Sequence, residues 1–132
     1  MPLNLNDFDA SIIDLDGTLV DTLDDFAAAL NLMLADLALP SVSREVVGPR
    51  VGKGSAYLIE SVLFYALNTA FALSGRAQSA INLEAQTREL LAAACSSYQR
   101  HYLAVNGLHA TVFRVCPKVC GNCDATASGL PA

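Results

Sequence analysis

The sequence predicts an α/β chain in which one strand and its turn precede a mainly helical region. Two observations carry that reading. The apolar run Ile12-Ile13-Asp14-Leu15 leads two aspartates, Asp14 and Asp16, into a glycine at position 17, as a buried strand ending in a tight turn does. Between residues 22 and 104, apolar side chains recur at helical spacing between proline and glycine stops, which predicts at least three helices.

The elements follow in order. Phe8 to Leu15 reads as the strand. Thr22 to Leu37 carries Leu23, Phe26, Ala27, Leu30, Leu34 and Leu37 on one helical stripe, with Asp21 or Thr22 as cap and Pro40 as stop. Ser43 is expected to cap a short helical turn toward Val47. Ser55 to Leu73 forms the second long helix, ended by Ser74-Gly75, and Leu83 to about Leu103 the third, ended by Asn106-Gly107. That third helix carries Leu83, Leu90, Leu91, Ala94, Tyr98 and Tyr102. Such a helical stretch cannot supply the neighbours that a parallel strand needs. The most apolar stretch, Val62 to Leu73, is short and interrupted by Asn68, so it reads as a buried helix rather than a membrane span.

The chemistry concentrates at residues 14–18. Asp14 and Asp16 lie at strand period two, and the turn at Gly17 lets the second carboxylate swing toward the same volume as the first. Two carboxylates in one low-dielectric pocket repel unless a proton or a hard cation separates them. Magnesium suits that need, since it prefers oxygen ligands and is shared between one or two carboxylates and a substrate phosphate. An aspartate with a free oxygen can attack phosphorus, and a neighbouring acid can protonate the leaving alcohol and then activate water. The bland alternative is an ordinary strand-to-helix turn with aspartate as a cap.

The segment Asp14-Leu15-Asp16-Gly17-Thr18-Leu19-Val20-Asp21-Thr22 resembles the first motif of haloacid-dehalogenase-like phosphatases. Pro49-Arg50-Val51-Gly52-Lys53-Gly54 and Tyr98-Gln99-Arg100-His101-Tyr102-Leu103-Ala104-Val105-Asn106-Gly107 resemble the cap region of phosphoglycolate phosphatases, and the similarity covers about residues 7 to 113. The resemblance implies a fragment of a haloacid-dehalogenase-like Rossmannoid domain, its first strand and motif in residues 1–21, with a mainly helical cap in residues 22–104. Residues 105–113 would return toward the core. It further implies Mg2+-dependent hydrolysis of a small phosphorylated metabolite, 2-phosphoglycolate above others, with Asp14 as the phosphorylated nucleophile and Asp16 as the acid/base. Thr18 would orient Asp16, and both Asp14 and Asp16 would hold the metal, Asp14 through a carboxylate oxygen and Asp16 through its backbone carbonyl. Gly17, Thr18 and Lys53 are the substrate-binding candidates, Lys53 on a loop flanked by Gly52 and Gly54. A solvated lysine on a flexible turn is an equally good account of Lys53.

Composition narrows the classes. The 132 residues are 53% hydrophobic and 16% charged, with a net charge of −5. The acidic balance, with no basic stripe, argues against nucleic-acid binding. The opening Met1-Pro2-Leu3-Asn4-Leu5-Asn6-Asp7 has neither a basic region nor a long apolar stretch, so a secretory signal is not expected. A cytoplasmic protein that enters no membrane is the expectation.

From Arg114 onward the periodicity ends and the composition turns to Cys, Gly, Ser, Thr and Pro, an irregular cysteine-rich tail over 114–132. The expectation is a shift of the coding frame near residue 114, leaving a truncated family member with an unrelated tail, impaired or inactive as it stands. The family's second-motif Thr or Ser, its phosphate-neutralising lysine and its further aspartate have no matching positions; the lysines available are Lys53 and Lys118. Cys116, Cys120 and Cys123 have the spacing C-x3-C-x2-C, resembling the iron–sulfur signature of radical S-adenosylmethionine enzymes. Zinc held by these three with His101 or His109 is the better functional alternative, and chance cysteines the better one still. Cys95 reads as a core residue, and His101 as a capping or cap-interface residue at a helix end, favoured there by the helix dipole. Two other classes compete with the enzyme: a helical interaction module whose exposed helices pair with themselves or with another chain, and a small zinc-binding protein that uses the tail.

Overall fold

A computed structural model of the chain describes residues 7, 9, 10, 12–76 and 78–113. Its residues divide into two compact units, one comprising the chain up to Asp21 and from Thr111 onward, the other Thr22–Ala110. The expected cysteine-rich tail, residues 114–132 with Cys116, Cys120 and Cys123, lies outside the described residues.

The helical unit contains α1 (Leu23–Asp36), α2 (Arg44–Val47), a 3-10 turn at Gly48–Arg50, α3 (Ser55–Leu73) and α4 (Ala80–Val105). Each long helix buries one stripe: Ala29, Leu30, Met33 and Leu34 from α1; Leu58, Ile59, Val62, Leu63, Ala66 and Leu67 from α3; Leu83, Ala94 and Tyr98 from α4. Helix α4 packs along both α1 and α3, so one long helix links the two others. Val42 and Val47 close the core between α1 and α3. The Asn31 side chain fixes the connecting loop by donating to the Val42 carbonyl at 3.0 Å and accepting from its N–H at 2.8 Å.

The expected helices form where the apolar spacing places them. Ser74 and Asn106 cap the carboxyl ends of α3 and α4 as read from Ser74-Gly75 and Asn106-Gly107. Helix α4 begins three residues before the expected Leu83, because Ser79 caps it and accepts from the Asn82 N–H. Helix α1 ends before Pro40 is reached. Ala38 adopts φ +54°, and the N–H groups of Ala38 and Leu39 bond to the carbonyls of Ala35 (3.0 Å) and Leu34 (2.9 Å), the paired closure of a left-handed helix terminus.

Helix α3 spans 19 residues and is long and apolar enough to cross a membrane by length and composition, longer than the Val62–Leu73 stretch suggested. Its six buried residues are core residues of the helical unit.

In the other unit, β1 (Val20–Asp21) pairs antiparallel with β2 (Thr111–Val112), with Val20 opposite Val112 and Asp21 opposite Thr111. The strand expected over Phe8 to Leu15 is corrected: residues 12–15 have no strand pairing, and Ile12, Ile13 and Leu15 are exposed. Residues 8 and 11 lie outside the described residues. An apolar run becomes a buried parallel strand only when neighbours flank it, and among the described residues the one other strand, β2, pairs with β1 instead.

Asp25, in the first turn of α1, is fully buried. Its carboxylate accepts from the N–H of Gly107 at 2.9 Å and of His109 at 2.8 Å, tying the start of α1 to the turn after α4. Replacing Asp25 with Ala removes a charged acceptor from two backbone donors, and is expected to lower unfolding free energy by about 2–3 kcal/mol in urea titration. Ala38→Gly should act in the opposite direction. Relief of the left-handed strain, about 1–2 kcal/mol, outweighs the added freedom of the unfolded chain, about 0.4–1 kcal/mol, so the urea midpoint should rise.

Candidate functional site

The loop over residues 14–20 is built by local hydrogen bonds around one carbonyl. The Leu15 C=O accepts from the N–H groups of Thr18 (3.4 Å), Leu19 (3.0 Å) and Val20 (3.0 Å), and the Gly17 N–H donates to the Val20 carbonyl at 2.8 Å. That closure requires φ +76° at Gly17, a conformation glycine reaches without Cβ strain. The glycine is therefore needed for backbone shape, and a Cβ there would meet no neighbour within 4 Å.

Within this loop the Thr18 hydroxyl donates to Asp14 Oδ2 at 2.9 Å. The hydroxyl expected on Asp16 thus orients Asp14 instead. Asp14, Asp16 and Gly17 are all exposed. Lys53, in the helical unit, is exposed too, with its ammonium 4.9 Å from the centre of the Tyr57 ring, which is a cation–π contact rather than a free charge.

The side chains of Asp14, Asp16 and Thr18 carry oxygen donors, a type that suits a hard cation such as Mg2+ and not a thiolate-preferring one; of the three, the Asp14 carboxylate and the Thr18 hydroxyl are in contact. Among the described residues no group of three or more His, Cys, Asp and Glu side chains is placed to hold a metal.

The helical unit encloses a cavity of about 520 Å³ lined by Phe26, Leu58, Tyr98 and Tyr102 together with Gly52 and Gly54. Tyr102 stacks between Phe26 (5.7 Å between ring centres) and Tyr98 (5.6 Å). Burial pushes the Tyr98 hydroxyl pKa up to about 12, with a smaller contribution from Tyr102. No charged side chain lines this cavity, so the charge chemistry of the chain lies elsewhere.

No protein-family model matches the chain. It is 34% identical over 104 residues to the phosphoglycolate phosphatase of Thiobacillus denitrificans, covering 79% of this chain and 39% of that one. With the plasmid phosphoglycolate phosphatase of Cupriavidus necator the identity is 36% over 104 residues, covering 79% and 38%. The chain also superposes on the crystal structure of a predicted phosphoglycolate phosphatase from Haemophilus somnus 129PT with a TM-score of 0.58 at 21% identity, covering 81% of this chain and 42% of that one. The chain is phosphoglycolate phosphatase-like. Its fold is that of part of a haloacid-dehalogenase-like protein, and it spans about two fifths of the length of the curated relatives it matches.

Two carboxylates of this phosphoglycolate phosphatase-like chain escaped the sequence reading. Asp25 precedes the buried Ala29 and Met33 at i+4 and i+8, so an acid on the apolar stripe was the available signal. Asp36 sits in the last turn of α1, where the helix dipole disfavours an acid. Its Oδ2 accepts from Ser97 Oγ (2.6 Å) and Arg100 Nη2 (2.8 Å) and lies 2.8 Å from His101 Nε2. Of the two expected roles for His101, helix capping or an interface within the helical region, its contact with Asp36 of α1 is of the second kind. Cys95 is half-buried and packs against the core.

The Ser97 hydroxyl, then His101, hold the Asp36 pKa below its ordinary 3.8, with Arg100 adding to the effect. A lowered folded value means that this stabilisation is complete above about 3.8 and is lost as the pH falls below it. The stability difference between the wild-type chain and Asp36→Asn should therefore shrink as urea titrations move from about pH 5 to about pH 3. A difference that stays constant over that range would contradict the assignment.

Proposed function

We propose that the chain carries the nucleophile end of a Mg2+-dependent phosphomonoester hydrolase specific for 2-phosphoglycolate. The observation that carries this reading is the Asp14–Thr18 hydrogen bond in a glycine-closed loop whose sequence matches the first motif of the family. The similarity to curated phosphoglycolate phosphatases supports the substrate. Asp14 attacks phosphorus with one carboxylate oxygen, while Thr18 holds the other. The bond from phosphorus to the glycolate oxygen breaks, and Asp16 delivers the proton that this oxygen takes up. Asp16 then removes a proton from water, which opens the aspartyl phosphate and releases inorganic phosphate, restoring Asp14. The Asp14 carboxylate and Asp16 would hold the cation, which would supply charge neutralisation at the phosphate oxygens. Gly17 and Thr18, in the same loop as Asp14, border the bound phosphate. The protein acts in the cytoplasm, without nucleic acid or membrane.

On the same reading, this chain alone turns over poorly. Residues 22–113 contain no counterpart of the family's second-motif hydroxyl, lysine and further aspartate in their expected pattern, and electrostatic stabilisation of the transferring phosphoryl group is ordinarily the largest catalytic contribution. Weak magnesium binding should remain, because the loop that presents Asp14 and Asp16 is built locally.

Magnesium titration by calorimetry and phosphate release from 2-phosphoglycolate, each beside an Asp14→Asn control, test the two halves. Expected are weak binding, on the order of millimolar, that the substitution weakens further, and hydrolysis indistinguishable from the control. Fast hydrolysis abolished by Asp14→Asn would show that the missing groups are supplied after all. No Mg2+ binding would remove the loop from the account.

A further inference from the structure

A second concavity of the helical unit, about 730 Å³, runs between α3 and the amino-terminal half of α4. Tyr57, Glu60 and Phe64 of α3 form one wall, one turn apart, and Glu84, Thr87 and Arg88 of α4 the other. Tyr57 and Phe64 are exposed aromatic side chains. Thr87 is satisfied within its own helix, bonding to the Leu83 carbonyl. Glu60, Glu84 and Arg88 are exposed and carry no ion pair or hydrogen bond among the described residues.

One aromatic wall, on α3, with unpaired charges of both signs across the groove describes a surface that can face its own copy. A partner of uniform charge would satisfy one sign and oppose the other, whereas a twofold copy places Arg88 against acids and acids against Arg88. The chain's net charge of −5 does not oppose this locally, because Arg50 also lines the groove. We propose that this face is a twofold interface with a second copy of the chain, in which Arg88 of each copy pairs with Glu60 and Glu84 of the other and Phe64 is covered at the centre. Tyr57 and Phe64 supply the apolar anchor, and the charges set the register.

Sedimentation of the full chain over a range of concentrations tests the proposal by charge exchange. The wild-type chain should form a dimer. Arg88→Glu alone, and Glu60→Arg combined with Glu84→Arg alone, should each weaken self-association by about tenfold or more through like-charge opposition. An equimolar mixture of these two variants should dimerise again, since each copy then meets opposite charge at both sites. Phe64→Glu, at an exposed position, should abolish association without altering helical circular dichroism, which guards against a charge variant that fails to fold. A wild-type chain that stays monomeric at about 100 μM, a dimer indifferent to these substitutions, or a mixture that remains monomeric would each overturn the interface. None of these readouts depends on hydrolysis.

Discussion

The helical unit depends on one buried charge. Asp25 is removed from water, which is costly for a carboxylate unless donors surround it, and the two donors it finds are backbone N–H groups from residues 107 and 109. A contact across more than eighty residues closes the largest loop in the unit, and closure entropy is the cost such a contact must offset. At the other end of α1, Asp36 engages Ser97, Arg100 and His101 of α4. Moving along α1 from Asp25 to Asp36, the partners therefore run backward along the chain, from the turn after α4 into α4 itself. The two helices are antiparallel, and a carboxylate pins each end of their packing. Hydrophobic burial between them is non-directional; the two acids fix its register.

That arrangement explains how much was legible in the sequence. Leu30 and Leu34, the helix over Ser55–Leu73 and the Gly75 and Gly107 stops all lie where period and punctuation placed them, because helices are local. Among the described residues of the expected Phe8 to Leu15 strand no pairing formed, because a strand is decided by its neighbours, and no pattern within residues 8–15 encodes whether those neighbours exist. Ala38 ended α1 in a conformation usually left to glycine or asparagine, a choice that propensity alone does not anticipate. The roles of Asp25 and Asp36 depended on residues sixty to eighty-four positions away, so spacing could at most mark them as acids in unfavourable places.

The candidate site divides along the same line. Its backbone was readable, since Gly17 and the Leu15 carbonyl build the loop from contacts within five residues. The partner of the Thr18 hydroxyl was not, because Asp14 and Asp16 are both within its reach and the choice rests on the turn geometry. The aromatic cavity of the helical unit carries no charge, while the residues suited to phosphate and cation chemistry sit in the 14–18 loop.

The pinning of α1 to the end of α4 is tested most directly by native-state hydrogen exchange at two amides. If the Asp25 carboxylate holds the Gly107 and His109 N–H groups, both should be protected in the wild-type chain to nearly the extent of core amides in α1, and Asp25→Asn should lower protection at these two positions more than at the Leu30 amide. Exchange of Gly107 and His109 at the rate of an open loop in the wild-type chain would contradict the account.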